Sequence, residues 1–271
     1  MRSLHVAVAQ VHSKVGDVDG NLDRMRRQVL SAGAVGVEAI LFAETSVHAY
    51  DLSPDNLALA EPTDGPIGRR LSRLAAENRM AILAGFLERD GDRVYNSHLV
   101  AWPDGRLGCQ RKHSLTPGEI EKGLTRGPRE RTVFDFNGVR AAVVICADTG
   151  IEGLSADLAR LGVEYRFIPT AGGGKLEEML HESALSRAEA RAAYAKDRTC
   201  VFKPEAVLDE KDCPLCGFAS ANALGYDGRS ACHRGHCMIV DNDRVLRAQI
   251  PGTNVLEHQQ DQMVHAEIRF A

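Results

Sequence analysis

The sequence predicts an α/β protein whose sheets are covered by helices, and three observations carry that prediction. Short apolar runs alternate with segments of helical spacing through the first third of the chain; a strand pair around a Pro-Asp-Gly turn interrupts the alternation; and further short apolar runs close the chain. In order, "LHVAVAQ" (Leu4–Gln10) alternates as a strand, and "NLDRMRRQVLSAGAVG" puts Leu22, Met25, Val29 and Leu30 at helical spacing with Asn21 as the cap. "AILFAE" (Ala39–Glu44) is a strand ending in a carboxylate, and a helix around Ile67–Asn78 leads into the strand "MAILAGFLE". "RVYNSHLVAWPDGRLGCQRKH" reads as two strands about the turn, the second running into Lys112. "AAVVICADTGIEG" starts as an apolar strand ending on Cys146. "GLSADLARLG" is a helix stopped by Gly162, "YRFIPTA" a strand, and Lys175–Lys196 a long helix rich in Ala, Glu and Arg. Strands near Thr199–Lys203, His236–Asp241, Val245–Gln249 and Met263–Ile268 follow. With no repeat or linker between these elements, residues 1–271 are expected to form a single domain.

Composition narrows the function classes. A net charge of −4, with Lys and Arg spread along the chain, offers no electrostatic footprint for nucleic acid or an anionic membrane. The apolar run near the start, Val6 to Ala9, is too short for a signal segment, and no stretch approaches a membrane span. The expectation is a cytoplasmic protein acting on a small molecule. Seven cysteines in a reducing compartment point to catalysis or metal rather than disulfides.

The chemistry gathers at strand ends. Glu44, Lys112 and Cys146 each close a predicted strand, where α/β architectures collect their ligand sites. Alone, each has a plain structural reading: a small core thiol, or a charge reaching solvent. Together, a carboxylate that accepts the thiol proton and an ammonium that steadies a developing oxyanion make a nucleophilic set for acyl transfer.

On these residues the chain resembles the nitrilase superfamily of carbon–nitrogen hydrolases over nearly its whole length. "VAVAQ" resembles the opening strand, "LFAETSVHAY" the first glutamate motif, "GFLERDGDRVYNSHLVAWPDGRL" the central hairpin, "RKHSLTPGE" the lysine motif, "VVICAD" the cysteine motif and "GHCMIVDNDRVL" the late Gly-His-Ser strand. The resemblance implies a four-layer α-β-β-α sandwich with two mixed β-sheets, a homodimer or larger homo-oligomer with Lys175–Lys196 as a candidate contact, and catalysis without a cofactor. It assigns Glu44 as general base, Lys112 as oxyanion-stabilising cation and Cys146 as nucleophile. It also implies a second glutamate after the lysine motif, for which Glu121, nine positions after Lys112, is favoured over Glu119. Ala147, Asp148 and Thr149 are expected at the substrate, with the Ala147 N–H beside the oxyanion. The implied reaction is cysteine-dependent hydrolysis of a non-peptide C–N bond in a small amide or N-carbamoyl compound through a thioester. A nitrilase acting on a small nitrile and a non-catalytic binding protein of the same fold are the alternatives.

Several positions depart from the family pattern. Ala43 stands before the first glutamate in place of proline, Ala147 replaces a commonly aromatic residue, and Glu152-Gly153 stands where Pro-Glu is usual. "PTAGGGK" (Pro169–Lys175) reads as a flexible loop rather than a phosphate cradle. A Cys/His-rich insertion around 209–237 is unusual: "CPLCG" followed by "CHRGHC" suggests a closed structural zinc held by Cys213, Cys216, Cys232 and His236, with His233 or Cys237 as alternative ligands.

Overall fold

A computed structural model of the chain describes residues 2–175, 217–229, 231–252 and 259–270. Its elements follow in chain order. The first half holds β1 (Arg2–Gln10), α1 (Val18–Ala34), β2 (Ala39–Leu41), α2 (Pro54–Leu57), α3 (Pro66–Asn78), β3 (Ala81–Asp90), β4 (Arg93–Ala101), β5 (Leu107–Arg111) and α4 (Pro117–Glu121). Next come β6 (Val133–Phe136), β7 (Val139–Val143), α5 (Leu154–Arg160), β8 (Tyr165–Thr170) and β9 (Gly173–Lys175). The remaining described strands are β10 (Phe218–Asn222), β11 (Leu224–Tyr226), β12 (Ala231–Arg234), β13 (Cys237–Val240), β14 (Leu246–Ile250) and β15 (Gln262–Phe270).

Two six-stranded sheets result, ordered β15-β1-β2-β3-β4-β5 and β14-β13-β10-β8-β7-β6, with a small third sheet β11-β12-β9 beside them. Both large sheets are mixed. In the first, β1, β2 and β3 run parallel and β4, β5 and β15 pair antiparallel; in the second, β7, β8 and β10 run parallel and β6, β13 and β14 pair antiparallel. Parallel neighbours need crossovers, and α1, α2 with α3, and α5 supply those from β1 to β2, β2 to β3 and β7 to β8.

Side-chain alternation decides the layers. Leu4, Val6, Val8, Leu41 and Leu83 of the first sheet share one core with Phe134, Phe136, Val143, Phe167 and Ala221 of the second, so the sheets pack face to face. The opposite face of the first sheet, with Ala7, Ala9, Ile40 and Ile82, packs under Leu22, Met25 and Val29 of α1 and Ile67 and Leu71 of α3. The opposite face of the second, with Ala142, Ile168 and Met238, packs under Leu154 and Leu158 of α5. The order is helix, sheet, sheet, helix, the expected four-layer sandwich. Each fully buried Leu, Val or Phe in these layers stabilises the fold by roughly 1.5–3 kcal/mol.

Local details differ from the sequence reading. Helix α1 begins a turn earlier than Asn21: Asp17 caps it, accepting from the Gly20 N–H, and Asn21 lies buried inside, bonding the Lys14 and Val47 carbonyls. The strand before Cys146 is the second arm of a hairpin, β6–β7, whose Asn137 and Gly138 both have positive φ, 54° and 84°, as a type I′ turn requires. The described part of the expected insertion around 209–237 is not appended to the fold. Phe218–Asn222 forms β10, an inner strand between β8 and β13, and Cys232 and Cys237 sit in strands. Of the expected long helix, Lys175 ends β9; residues 176–196 and the expected strand Thr199–Lys203 lie outside the described residues. Among the described residues no helix is long and apolar enough to cross a membrane.

Candidate active site

The site forms where strands of the two sheets end together. Glu44 lies just past β2, and its backbone N–H donates to the Thr170 carbonyl at the end of β8, 3.3 Å away, tying one sheet to the other. The chain reaches this point by crossing over β3 at Gly85. A Cβ there would lie 2.1 Å from the Thr45 nitrogen and 2.6 Å from the Ala43 oxygen, so only glycine lets the two backbones approach.

Lys112 follows β5. Its side chain is fully buried, and its Nζ donates to Glu44 Oε1 at 2.7 Å and to Glu119 Oε1 at 2.9 Å. Burial opposes the ammonium charge, but Glu44, the Cys146 sulfur and Glu119 outweigh it and hold the lysine above its ordinary range. Lys112 stays charged.

The second carboxylate at this lysine is Glu119, not Glu121. Glu119 is fully buried at the third position of α4 in a capping box: the Thr116 N–H donates to its Oε2 at 2.7 Å, and its own N–H donates to Thr116 Oγ1 at 3.3 Å. Glu121 ends the same helix with its side chain 77% exposed, 3.8 Å from the Lys122 ammonium. Two residues along a helix point to different faces, so only one of the pair can turn inward.

Cys146 opens a tight 3₁₀ turn, Cys146–Gly150, with φ of 47°. Such a left-handed backbone costs a non-glycine residue about 1–3 kcal/mol, and strain of this kind collects at functional sites. Burial first, and then the Glu44 carboxylate, push the thiol up to about 12; Lys112 and the Ala171 backbone pull the other way. Both leading influences favour the protonated thiol. Glu44 Oε2 is buried with no well-formed hydrogen bond among the described residues, and the Cys146 thiol lies close enough to the same carboxylate for its charge and a weak hydrogen bond to act on the sulfur.

Two of the residues expected at the substrate do other work. Asp148 is fully buried, accepting from the N–H groups of His113 and Ser114 at 3.0 and 2.6 Å and from Arg131 Nη1 at 2.7 Å. Both of its oxygens are engaged, so it ties the cysteine turn to the segment after Lys112 instead of facing a ligand. Thr149 Oγ1 donates to the Cys146 carbonyl at 2.8 Å and closes the turn. Ala147 is half-buried beside the cysteine.

Two further residues at the site lie within the glutamate-motif and hairpin stretches without being singled out by the sequence reading. Asn96 of β4 donates from Nδ2 to Glu44 Oε1 at 2.8 Å and to Glu119 Oε1 at 2.7 Å. Tyr50 lies with its ring 5.9 Å from Lys112 Nζ, its hydroxyl held well above the ordinary range by burial and by the Glu44 charge.

Of the residues expected to hold zinc, Cys213 and Cys216 lie outside the described residues. Cys232 is buried in β12, its thiol pushed up to about 11 by burial and by Asp227, and His236 Nε2 lies 3.0 Å from the Gln249 side-chain nitrogen. Among the described residues no group of three or more His, Cys, Asp or Glu is placed to hold a metal.

Comparison with known proteins bears on the family and the fold. Residues 5–256 match the carbon–nitrogen hydrolase family. An (R)-stereoselective amidase of a Pseudomonas species is 28% identical over 193 residues, covering 71% of this chain and 69% of that protein. A hydrolase in the pqqF 5′ region of Pseudomonas protegens is 26% identical, covering 63% of this chain and 60% of that protein. Among solved structures, the CN-hydrolase superfamily protein XC1258 of Xanthomonas campestris superposes with a TM-score of 0.74 at 21% identity, covering 99% of this chain and 91% of that one.

Proposed function

The chain belongs to the carbon–nitrogen hydrolase family, and from that premise we propose that it hydrolyses a non-peptide C–N bond in a small amide or N-carbamoyl compound through a thioester on Cys146. One observation supports this above the others: a lysine sealed between two buried carboxylates, with the Cys146 thiol beside them.

The mechanism follows from the charges. Glu44, Glu119 and Lys112 together carry one net negative charge, so a resting thiolate would add a second and is disfavoured. Attack and deprotonation therefore go together: as Cys146 Sγ bonds to the amide carbon, its proton passes to Glu44. Lys112 has three N–H donors, two of which are spent on the carboxylates, leaving one for the oxyanion of the tetrahedral intermediate. The Ala147 N–H is the second donor in this reading. The C–N bond then breaks, Glu44 returns the proton to the leaving nitrogen, and an amine or ammonia departs. Glu44 next takes a proton from water as the water attacks the thioester, and Cys146 regains its proton as the acid is released. No metal or organic group is called on. In this reading Glu119 holds Lys112 and shares its charge, and the chains assemble as a homodimer or larger homo-oligomer.

Ammonia release over a panel of small amides, N-carbamoyl compounds and nitriles tests the reading, with intact-mass detection of an acyl adduct. Turnover of an amide or carbamoyl compound with an adduct lost in Cys146→Ala supports it. Turnover of nitriles alone would move the assignment to a nitrilase, and no turnover or adduct with any member would leave the non-catalytic alternative.

A further inference from the structure

We propose that Asn96 is a positioning residue that selects which oxygen of Glu44 carries the proton, an inference that rests on the hydrolase reading above. Lys112 Nζ and Asn96 Nδ2 each donate to the same two acceptors, Glu44 Oε1 and Glu119 Oε1, at 2.7 to 2.9 Å. The four atoms form a closed square of two donors and two acceptors. Asn96 is buried, and its backbone carbonyl also accepts from the Lys112 N–H at 2.8 Å, so one residue holds the lysine backbone and both acceptors of its ammonium.

The orientation of the amide follows from its neighbours. Turned over, Asn96 would press its oxygen against two carboxylate oxygens, so the nitrogen must face them. The consequence reaches the reaction. With two donors on Oε1, that oxygen of Glu44 is saturated, and Oε2 is the buried oxygen left without a partner among the described residues. The proton that leaves Cys146 as the Sγ–C bond forms goes to Oε2 and from there to the leaving nitrogen. Lys112 alone could not hold this geometry as firmly, because a single ammonium on a flexible stem lets the Glu44 carboxylate rotate about its terminal torsion. The neutral amide adds the second anchor without adding charge.

The test reads the cysteine directly, with iodoacetamide as the probe at neutral pH. Asn96→Ala should lower the rate of Cys146 alkylation about tenfold, the scale of one hydrogen bond to a charged group. Asn96→Ser, which keeps a single donor, should fall between the two. In a Glu44→Gln background, adding Asn96→Ala should change the rate by less than about twofold, because a residue that acts through Glu44 has nothing left to position. A purely structural role would instead lower the rate by the same factor in both backgrounds, and that result overturns the proposal. So does a folded Asn96→Ala protein, checked by far-ultraviolet circular dichroism, that alkylates at the wild-type rate, and so does failure of both Asn96 variants to fold. Alkylation needs no substrate, so an absence of ammonia release by the wild-type protein would count against the hydrolase reading while leaving this cycle legible.

Discussion

Replacing Lys112 by methionine separates the structural from the chemical work of the buried cation. The side chain fits a similar volume, but the substitution removes a charge that sits 2.7 Å from one carboxylate and 2.9 Å from another, all three fully buried or nearly so. Removing one partner of a buried ion pair costs about 3–5 kcal/mol, because the carboxylates left behind are neither hydrated nor neutralised. For a chain of this size each kcal/mol lowers the melting temperature by roughly 2–4 °C, so Lys112→Met should melt roughly 6–20 °C below wild type. The loss of an oxyanion donor should lower kcat by about 10²–10³-fold. A second substitution splits the two effects: Lys112→Met with Glu119→Gln leaves a single buried carboxylate and should recover much of the melting temperature while kcat stays low. The assays are calorimetric unfolding and ammonia release. A single variant melting within about 2 °C of wild type, or a double variant that regains turnover, would refute the reasoning.

Cys146→Ala should abolish turnover and change stability by no more than about 1 kcal/mol, since it removes one sulfur and keeps the Cβ that the strained turn already accommodates; near-wild-type hydrolysis would remove the nucleophile assignment. Glu119→Gln should lower kcat by at least about tenfold through the lost partner of Lys112, whereas Glu121→Gln should match wild type; the reverse order in a steady-state comparison would restore Glu121 as the second glutamate. The proposed structural zinc predicts about one zinc per chain in untagged protein, lost in a Cys213→Ser/Cys216→Ser variant. Metal-free, fully active protein with those thiols open to titration would remove it.

Much of this protein is legible along the chain because the relevant physics is local. The alternation of β1, the helical spacing of Leu22, Met25 and Val29, and the Pro-Asp-Gly turn between β4 and β5 each follow from backbone period and turn chemistry. Glu44, Lys112 and Cys146 can be marked because each closes a predicted strand, Glu44 and Cys146 after apolar runs and Lys112 after the second arm of the hairpin, and ligand sites gather at strand ends of α/β sheets. The capping box Thr116-Pro117-Gly118-Glu119 was also open to reading, as was the Asn137-Gly138 turn, since both are short-range signals. What spacing could not decide is which way a side chain faces once two elements meet. Glu119 and Glu121 are equivalent as residue types, and only the docking of α4 against Lys112 turns one inward and leaves the other in water. Asp148 looks like a ligand residue beside the nucleophile until Arg131 and the His113 and Ser114 amides, distant in sequence, fill its lone pairs. Asn96 gives no signal in a strand sequence, because its two partners lie 52 positions before it and 23 after it. Phe218–Asn222 is a short run, small after its first residue, whose place as an inner strand is decided by β8 and β13 on either side. The sequence by itself determined the elements and the chemistry available; the tertiary structure alone decided which lone pairs and donors meet, because those contacts depend on how distant segments pack and not on period or turn type.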